Sequence, residues 1–260
     1  MNRMLVILVV LLLGCGGGGG GGNSSNTPVI VTNLDPSAIY SGEFGPSSNS
    51  ANDVTNGIIL PSGEARLMLR YGSQIVGTLQ VTGSAFSCSA TVYTSSGIQA
   101  MTMSNGKINQ TTTNGGQANL SGSFTTNGTS DTFTIYSRQS LNEPLLPKTL
   151  TNLVRYWRAE ANQQTSSLFA QGYIEGSIDT SGILNANIRN NANNIVGVVS
   201  AQFTQISPGT NTNSFRVTVQ SGGQTYIGLA YTQQYGVDPD GFMIILASNS
   251  TGQFWAIFHH

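Results

Sequence analysis

The stretch EARLMLRY, residues 64–71, decides the fold class because its side chains alternate in character along the chain. Successive side chains of a β-strand point to opposite faces, so a period of two is typical of a strand. The alternation predicts one apolar face, made of Ala65, Leu67, Leu69 and Tyr71, and an opposite face, made of Arg66, Met68 and Arg70.

The same alternation returns along the chain. In SFRVTVQ, residues 214–220, it sets Phe215, Val217 and Val219 opposite Arg216, Thr218 and Gln220. Short segments of this kind, separated by turn signals, predict an all-β protein of antiparallel meander strands. Four dipeptides predict hairpin turns: Asn105-Gly106, Asn114-Gly115, Asn127-Gly128 and Asp240-Gly241. We expect one helical turn, in LTNLVRYW at 150–157.

Two parts of the chain resemble each other, which indicates an internal repeat. Residues 61–81 match residues 180–201 at an offset of 119, with Ser62-Gly63 on Ser181-Gly182. The aligned apolar positions keep the same phase: Ala65, Leu67 and Leu69 fall on Leu184, Ala186 and Ile188. One inserted residue later, Ile75-Val76-Gly77 falls on Ile195-Val196-Gly197, and upstream Tyr40 falls near Trp157 at an offset of 117.

The repeat predicts two similar small β-barrel or sandwich domains. The first would cover residues 38–139 and the second residues 150–260, with the Pro-containing stretch 140–149 as a linker. One continuous barrel or sandwich is the alternative. Barrel closure is attractive here because it removes exposed strand edges, and this chain has few charged residues with which to protect them.

The N-terminus, MNRMLVILVVLLLGC, has the features of a targeting segment. Arg3 precedes an apolar run from Met4 to Leu13, which is shorter than the roughly 20 residues a membrane-spanning helix needs and matches the core of a signal peptide. The four residues Leu12, Leu13, Gly14 and Cys15 resemble the lipobox of bacterial lipoproteins. The resemblance implies cleavage of residues 1–14 and acylation of Cys15, with palmitate among the acyl chains.

Residues 15–37 then form a lipidated cysteine and a Gly-, Ser- and Asn-rich linker. The twelve residues 16–27 carry no apolar side chain, and flexible coil of this length spans roughly 20 Å. In lipoproteins, Asp after the cysteine favours retention in the inner membrane; because Gly16 stands there in this chain, the resemblance implies the outer membrane. Glycine spacers of this kind are also similar to those of surface lipoproteins of the factor H-binding and transferrin-binding types. Whether the protein faces the cell surface or the periplasm stays open.

Composition limits the partners. Only 8% of residues are charged, and removal of residues 1–14 leaves nine Lys and Arg against eleven Asp and Glu. Such a chain has no basic surface with which to neutralise phosphates, so we expect no nucleic-acid partner. Acylation of Cys15 leaves Cys88 alone, and we predict a buried small apolar residue rather than a reactive thiol or an intermolecular disulfide.

Catalytic motifs do not occur in the sequence. The two histidines are His259 and His260, and G-x-S-x-G, C-x-x-C, H-E-x-x-H and P-loop patterns are missing. VDPDG at 237–241 begins like a calcium loop, but no acidic residue follows Asp240, so it is predicted to be a hairpin turn. We expect no catalytic residue, no metal site and no cofactor.

Aromatic residues are the candidates for recognition. Arg155, Tyr156, Trp157 and Arg158 would form an exposed patch for a protein or glycan ligand. The other interpretation is that one ring of each pair, Tyr156-Trp157 and Phe254-Trp255, fills the core while the other covers a rim. The function expected is that of a non-catalytic binding module anchored at the cell surface. A periplasm-facing structural or assembly lipoprotein is the alternative, and an enzyme is less favoured.

Overall fold

The computed structural model describes residues 32–45, 53–110, 118–138, 150–160, 172–206, 214–233 and 241–259. The signal peptide, the lipobox, the proposed Gly-rich linker up to residue 31 and the proposed linker at 140–149 lie outside these residues. Residues Thr32–His260 form one compact unit.

The first half of the described chain is a closed barrel in which each strand pairs antiparallel with its neighbours in sequence and the first pairs with the last. Its strands are β1 (Ala38–Phe44), β2 (Val54–Ile59), β3 (Glu64–Leu69), β4 (Gln74–Thr82), β5 (Ala85–Thr94), β6 (Gly97–Gln110), β7 (Ala118–Thr126) and β8 (Thr129–Ser137).

The second half repeats this topology after one helical turn. Its elements are α1 (Leu150–Leu153), β9 (Tyr156–Glu160), β10 (Tyr173–Ile178), β11 (Ile183–Arg189), β12 (Ile195–Gln205), β13 (Ser214–Ser221), β14 (Gln224–Gln233), β15 (Phe242–Ser248) and β16 (Gln253–His259). Two similar eight-stranded antiparallel barrels therefore confirm the predicted fold class and exclude a single continuous barrel.

The two segments matched in the sequence are equivalent strands, since β3 and β4 hold the same places in the first barrel as β11 and β12 in the second. The glycines Gly63 and Gly182 make the same turn, with φ of +84° and +77°. Each donates its N–H to a carbonyl three residues earlier, at 2.8 and 3.0 Å. The carbonyl of each glycine also accepts an N–H from the next strand at 2.9 Å: that of Gly63 from Leu79 of β4, and that of Gly182 from Phe203 of β12.

Tyr40 and Trp157 are equivalent too. The Tyr40 hydroxyl donates to the carbonyl of Pro36 at 2.6 Å, and the Trp157 indole N–H donates to the carbonyl of Leu153 at 3.0 Å. In both cases a buried ring at the start of the first strand reaches back four residues. Each bond satisfies a polar group that burial would otherwise leave unpaired.

The match of Ile75-Val76-Gly77 with Ile195-Val196-Gly197 is displaced in space. Gly77 lies opposite Ala65, whereas Gly197 lies opposite Ile188. The cause is a longer hairpin in the second barrel: 21 positions separate Gly182 from Phe203, against 16 between Gly63 and Leu79. The extra length includes a bulge in β12.

Alternation predicted the barrel interiors well. Ala65, Leu67 and Leu69 lie in the core of the first barrel, and Leu184, Ala186 and Ile188 lie in that of the second. Phe215, Val217 and Val219 are also in the second core, while Arg216, Thr218 and Gln220 are exposed. The prediction for Tyr71 was wrong: the residue is 78% exposed, because β3 ends at Leu69 and the chain then turns.

The turn predictions gave mixed results. Asn127-Gly128 joins β7 to β8 with φ of +49° and +76°, as predicted. The prediction for Asn105-Gly106 was wrong, because Asn105 with φ of +52° lies inside β6 where the ladder shifts register. Asn114-Gly115 and Asp240 lie outside the described residues. The helical turn is confirmed at 150–153, and Tyr156 already belongs to β9.

A third apolar cluster joins the two barrels. It consists of Ile39, Ile58, Leu60, Met68, Leu229, Tyr231, Ile244, Leu246 and Trp255, all buried. The outer face of β3 is thus covered by the second barrel rather than by water. Arg66 on that face donates to the hydroxyl of Ser248 at 3.1 Å, and Gln74 donates to the carbonyl of Phe254 at 3.1 Å.

Cys88 is a buried free thiol in the first core, as predicted. Burial raises the pKa of its thiol, although a hydrogen bond from the backbone of Thr78 opposes that change. A raised pKa keeps the thiol protonated and unreactive.

Candidate functional site

Strand β12 of the second barrel begins with a stretch that pairs with a neighbouring strand on one side. Strand β12 begins at Ile195, but its pairing with β13 begins only at Val199, opposite Ser221. Residues Ile195–Val198 lie beside β11 on one side and, among the described residues, have no strand on the other. We call Ile195–Val198 the open edge. In the first barrel β4 is paired with β5 from Gln74 to Thr82, its whole length.

The open edge ends at a glycine turn. Strand β13 stops at Ser221, and Gly222 and Gly223 return the chain into β14 with φ of +57° and +74°. Glycine adopts this left-handed backbone without the steric cost that a Cβ imposes. A Cβ at either position would meet no atom within 4 Å, so the turn leaves free space beside the edge.

Apolar side chains on the open edge face water. Ile195, Val196 and Val198 are 55%, 60% and 66% exposed. Natural proteins protect such edges with charged residues, proline or a covering element, because unpaired N–H and C=O groups recruit other strands. The open edge carries no charged residue and no proline.

A polar groove of about 620 Å³ lies on the outer side of the open edge. Asn185 and Asn187 of β11 line it and alternate with the core residues Leu184 and Ala186, so their side chains point outward. Further amide and hydroxyl groups come from Ser200, Gln220, Gln224 and Thr225, beside the apolar side chains of Val198 and Val199.

A second groove, of about 530 Å³, also borders the open edge. Its lining includes Val196 and the core residues Ile188 and Tyr226, so it is more apolar than the first. Val198 and the turn Ser221–Gln224 border both grooves. The open edge therefore separates a polar groove from an apolar one.

Hydrogen bonds hold the hairpin that carries the open edge. Arg189 forms an ion pair with Glu175 and donates to the carbonyl of Asn193 at 2.9 Å. Tyr173 donates its hydroxyl to the side chain of the same asparagine. At the tip, the Asn190 side chain accepts the N–H groups of Ala192 and Asn194, each at 3.0 Å. These bonds hold together the hairpin from which the open edge starts.

The support extends to β9. Tyr156 donates its hydroxyl hydrogen to the carboxylate of Glu175. This hydrogen bond is the main reason why the pKa of the Glu175 carboxyl is lowered. Desolvation opposes the change, and Arg189 adds to it. Desolvation and the same carboxylate raise the pKa of Tyr156 to about 12. Arg158 places its guanidinium 3.9 Å from the centre of the Tyr173 ring and pairs with Glu160 at 2.7 Å.

The structure does not make RYWR one exposed patch, and the prediction for Trp157 was wrong. Trp157 is buried in the core, because the alternation of β9 turns positions 157 and 159 inward. Arg155 lies 5.7 Å from the centre of the Trp157 ring. Tyr156 and Arg158 are exposed, and both belong to the network that supports the hairpin. In the pair Tyr156-Trp157, the tryptophan ring thus fills the barrel core and the tyrosine ring lies on the surface.

Phe254-Trp255 also divides, but in a different way. Phe254 lies in the second core, and Trp255 is buried in the cluster between the barrels instead of covering a rim. A Cβ on Gly72 of the first barrel would lie 2.7 Å from the Trp255 ring. Neither aromatic residue is available to a ligand.

The remaining sequence candidates lie elsewhere. Leu12, Leu13, Gly14, Cys15 and His260 are outside the described residues. His259 packs edge-on against Phe242 with ring centres 4.6 Å apart, and desolvation lowers the pKa of its imidazole. In the described ranges, no three His, Cys, Asp or Glu side chains gather as around a metal ion. None of the helices in those ranges is long and apolar enough to cross a membrane.

The open edge was not predicted from the sequence. Its one visible signal is the run Ile195-Val196-Gly197-Val198, which is apolar without alternation and aligns with a run in the first repeat. Comparison with known proteins found no matching family model, no matching curated protein and no matching solved structure.

Proposed function

We propose that this chain is a non-catalytic binding lipoprotein of the bacterial outer membrane, anchored through acylated Cys15, which recognises a polypeptide with its second barrel. The open edge is the single observation that carries the binding role. The lipobox resemblance and the glycine spacer support the anchor.

The chemistry of the open edge suits it to strand addition. It offers backbone donors and acceptors in a fixed row, which an extended segment of another protein satisfies by adding a strand. The hairpin is already ordered by Arg189, Tyr173 and Asn190. Preorganisation of this kind raises affinity because less conformational entropy is lost on binding.

The lining of the grooves favours binding over catalysis. The described residues around both grooves are amides, hydroxyls, glycines and apolar side chains, and Tyr226 is the one titratable group among them. General acid–base catalysis needs a group that exchanges protons near the working pH. Burial raises the pKa of Tyr226 further from neutrality.

The test uses the full-length chain in a Gram-negative host. Proteins crosslinked to it by formaldehyde on intact cells are purified with it from three strains: the unchanged chain, Val198→Lys and Ile227→Lys. Ile227 is a matched control, because it is 60% exposed but paired on both sides, with Thr218 and Ser248. The partner should be lost from Val198→Lys and kept by Ile227→Lys; recovery unchanged in both would contradict the proposal.

The anchor is tested separately with Cys15→Ala. This variant should remain an uncleaved precursor and take up no labelled palmitate, because the acylated thiol is gone. Protease treatment of intact cells then tells a surface-exposed protein from one facing the periplasm. Normal lipid labelling of the variant would exclude the lipoprotein assignment.

A further inference from the structure

We infer that the open edge binds an extended segment of a partner polypeptide as an additional strand, and that this segment alternates apolar side chains with uncharged polar ones. The inference rests on the proposed function and specifies its ligand. It follows from the position of the edge between two unlike grooves.

The length of the open edge sets the size of the segment. At about 3.3 Å per residue, the four residues Ile195–Val198 offer roughly 13 Å of strand. Every second residue of this stretch directs its N–H and C=O groups away from β11. A segment of about four to six residues can pair with these groups before it reaches the turn at Gly222 and Gly223.

The two grooves set the side-chain pattern. Neighbouring residues of an added strand point to opposite faces of the sheet. One set of side chains therefore enters the groove lined by Asn185 and Asn187. The other set enters the groove lined by Ile188 and Tyr226. Polar side chains fit the first groove and apolar side chains fit the second.

Charge on the segment is disfavoured. Among the described residues that line the two grooves there is no Asp, Glu, Lys, Arg or His, and the nearby Arg189 is already paired with Glu175. A charged side chain placed in either groove would lose hydration without gaining a partner. The ligand is therefore a neutral strand rather than an acidic or basic tail.

A second copy of this chain fits the site less well. Its own open edge would bring Ile195, Val196 and Val198, and no polar side chain, to both grooves. The amides of Asn185 and Asn187 would then be covered without a hydrogen-bonding partner, which costs free energy. The polar groove consequently favours a different polypeptide.

The test uses the full-length chain in detergent and two displayed libraries of capped heptapeptides. In the first library Val, Ile, Leu or Phe alternates with Ser, Thr, Asn or Gln; in the second, Asp or Lys takes the polar positions. We expect binders from the first library only. Val198→Lys should weaken their binding at least about tenfold, because a charged edge residue obstructs strand pairing, while Ile227→Lys should leave it unchanged.

Methylation of the peptide backbone tests the mode of binding. N-methyl groups at alternate positions should abolish binding, and those at the intervening positions should not, because only every second N–H faces β12. Three outcomes would overturn the inference. The first library could yield no binder, or N-methylation could weaken binding equally at all positions. The chain could also form a dimer that Val198→Lys dissociates. Such a failure, with partner recovery from cells still lost in Val198→Lys, would leave the proposed function standing.

Discussion

At the residue scale, two aromatic side chains show how each barrel begins. Tyr40 and Trp157 occupy the same position and satisfy their polar atoms in the same way, each with a carbonyl four residues back. The donor is a hydroxyl in Tyr40 and an indole N–H in Trp157, but the hydrogen bond spans the same four residues in both barrels. This pair is why RYWR could not serve as a recognition patch: the position of its tryptophan is a core position.

Removal of the Tyr40 hydroxyl tests that role. Tyr40→Phe should lower the free energy of unfolding by about 1–3 kcal/mol, because the buried carbonyl of Pro36 loses its donor. Urea unfolding followed by circular dichroism measures the change. Tyr136→Phe is the control, since Tyr136 is exposed, and its effect should stay within about 0.5 kcal/mol. Equal effects of the two substitutions would contradict the assignment.

At the element scale, the β11–β12 hairpin is longer than its counterpart in the first barrel, β3–β4. Its additional length carries Ile195–Val198 past the end of β13, and its outer hydrogen bonds keep it in place. Two features leave these residues unpaired: β12 begins at Ile195, and β13 ends at Ser221, opposite Val199. An unpaired edge thus arises from a difference in length between two neighbouring hairpins.

Protonation of Glu175 should loosen this hairpin. In the folded protein the pKa of the Glu175 carboxyl lies below its ordinary value of 4.5. The ionised carboxylate therefore stabilises the fold above pH 4.5, and this stabilisation is lost as the pH falls through the pKa of the folded protein. Hydrogen exchange at the amides of 190–198, corrected for intrinsic rates, should rise below about pH 4. Glu175→Gln should show faster exchange already at neutral pH; exchange that is insensitive to both changes would contradict this support.

The sequence predicts strands and their inward faces but not this edge. Alternation in 64–69 and 214–220 indicates which side chains enter a barrel interior, which is why the core residues of these strands were predicted correctly. The open edge depends on the relative ends of β12 and β13, which are set by a bulge near Val196 and by pairing across the sheet. Burial of Arg66 was equally hidden, because the surface that covers it belongs to the other barrel.

At the scale of the whole molecule, the two barrels share a buried contact. Apolar side chains from both form one cluster, and Gln253 donates to the carbonyl of Gly72 at 2.9 Å. Arg66 and Gln74 add bonds across the same surface. A continuous buried contact therefore joins the two barrels.

Gly72→Ala should disturb this contact. Gly72 has φ of +81° and no room for a Cβ beside Trp255, so the substitution adds a clash of about 1–3 kcal/mol to the backbone strain. Gly128→Ala is the control, with φ of +76° and nothing within 4 Å, and carries the strain alone. Calorimetry should show a larger loss of thermal stability for Gly72→Ala, with separate transitions for the two barrels. Equal losses would contradict the role of Gly72 in this contact.

The most direct test of the open edge as the binding surface is site-specific photocrosslinking on intact cells. A photoreactive phenylalanine derivative replaces Val198 in one strain, Ile227 in a second and Val76, on the paired strand of the first barrel, in a third. We predict a discrete polypeptide adduct from position 198 and none from positions 76 and 227. No adduct from position 198, or the same adduct from all three, would contradict the assignment of the open edge as the binding surface.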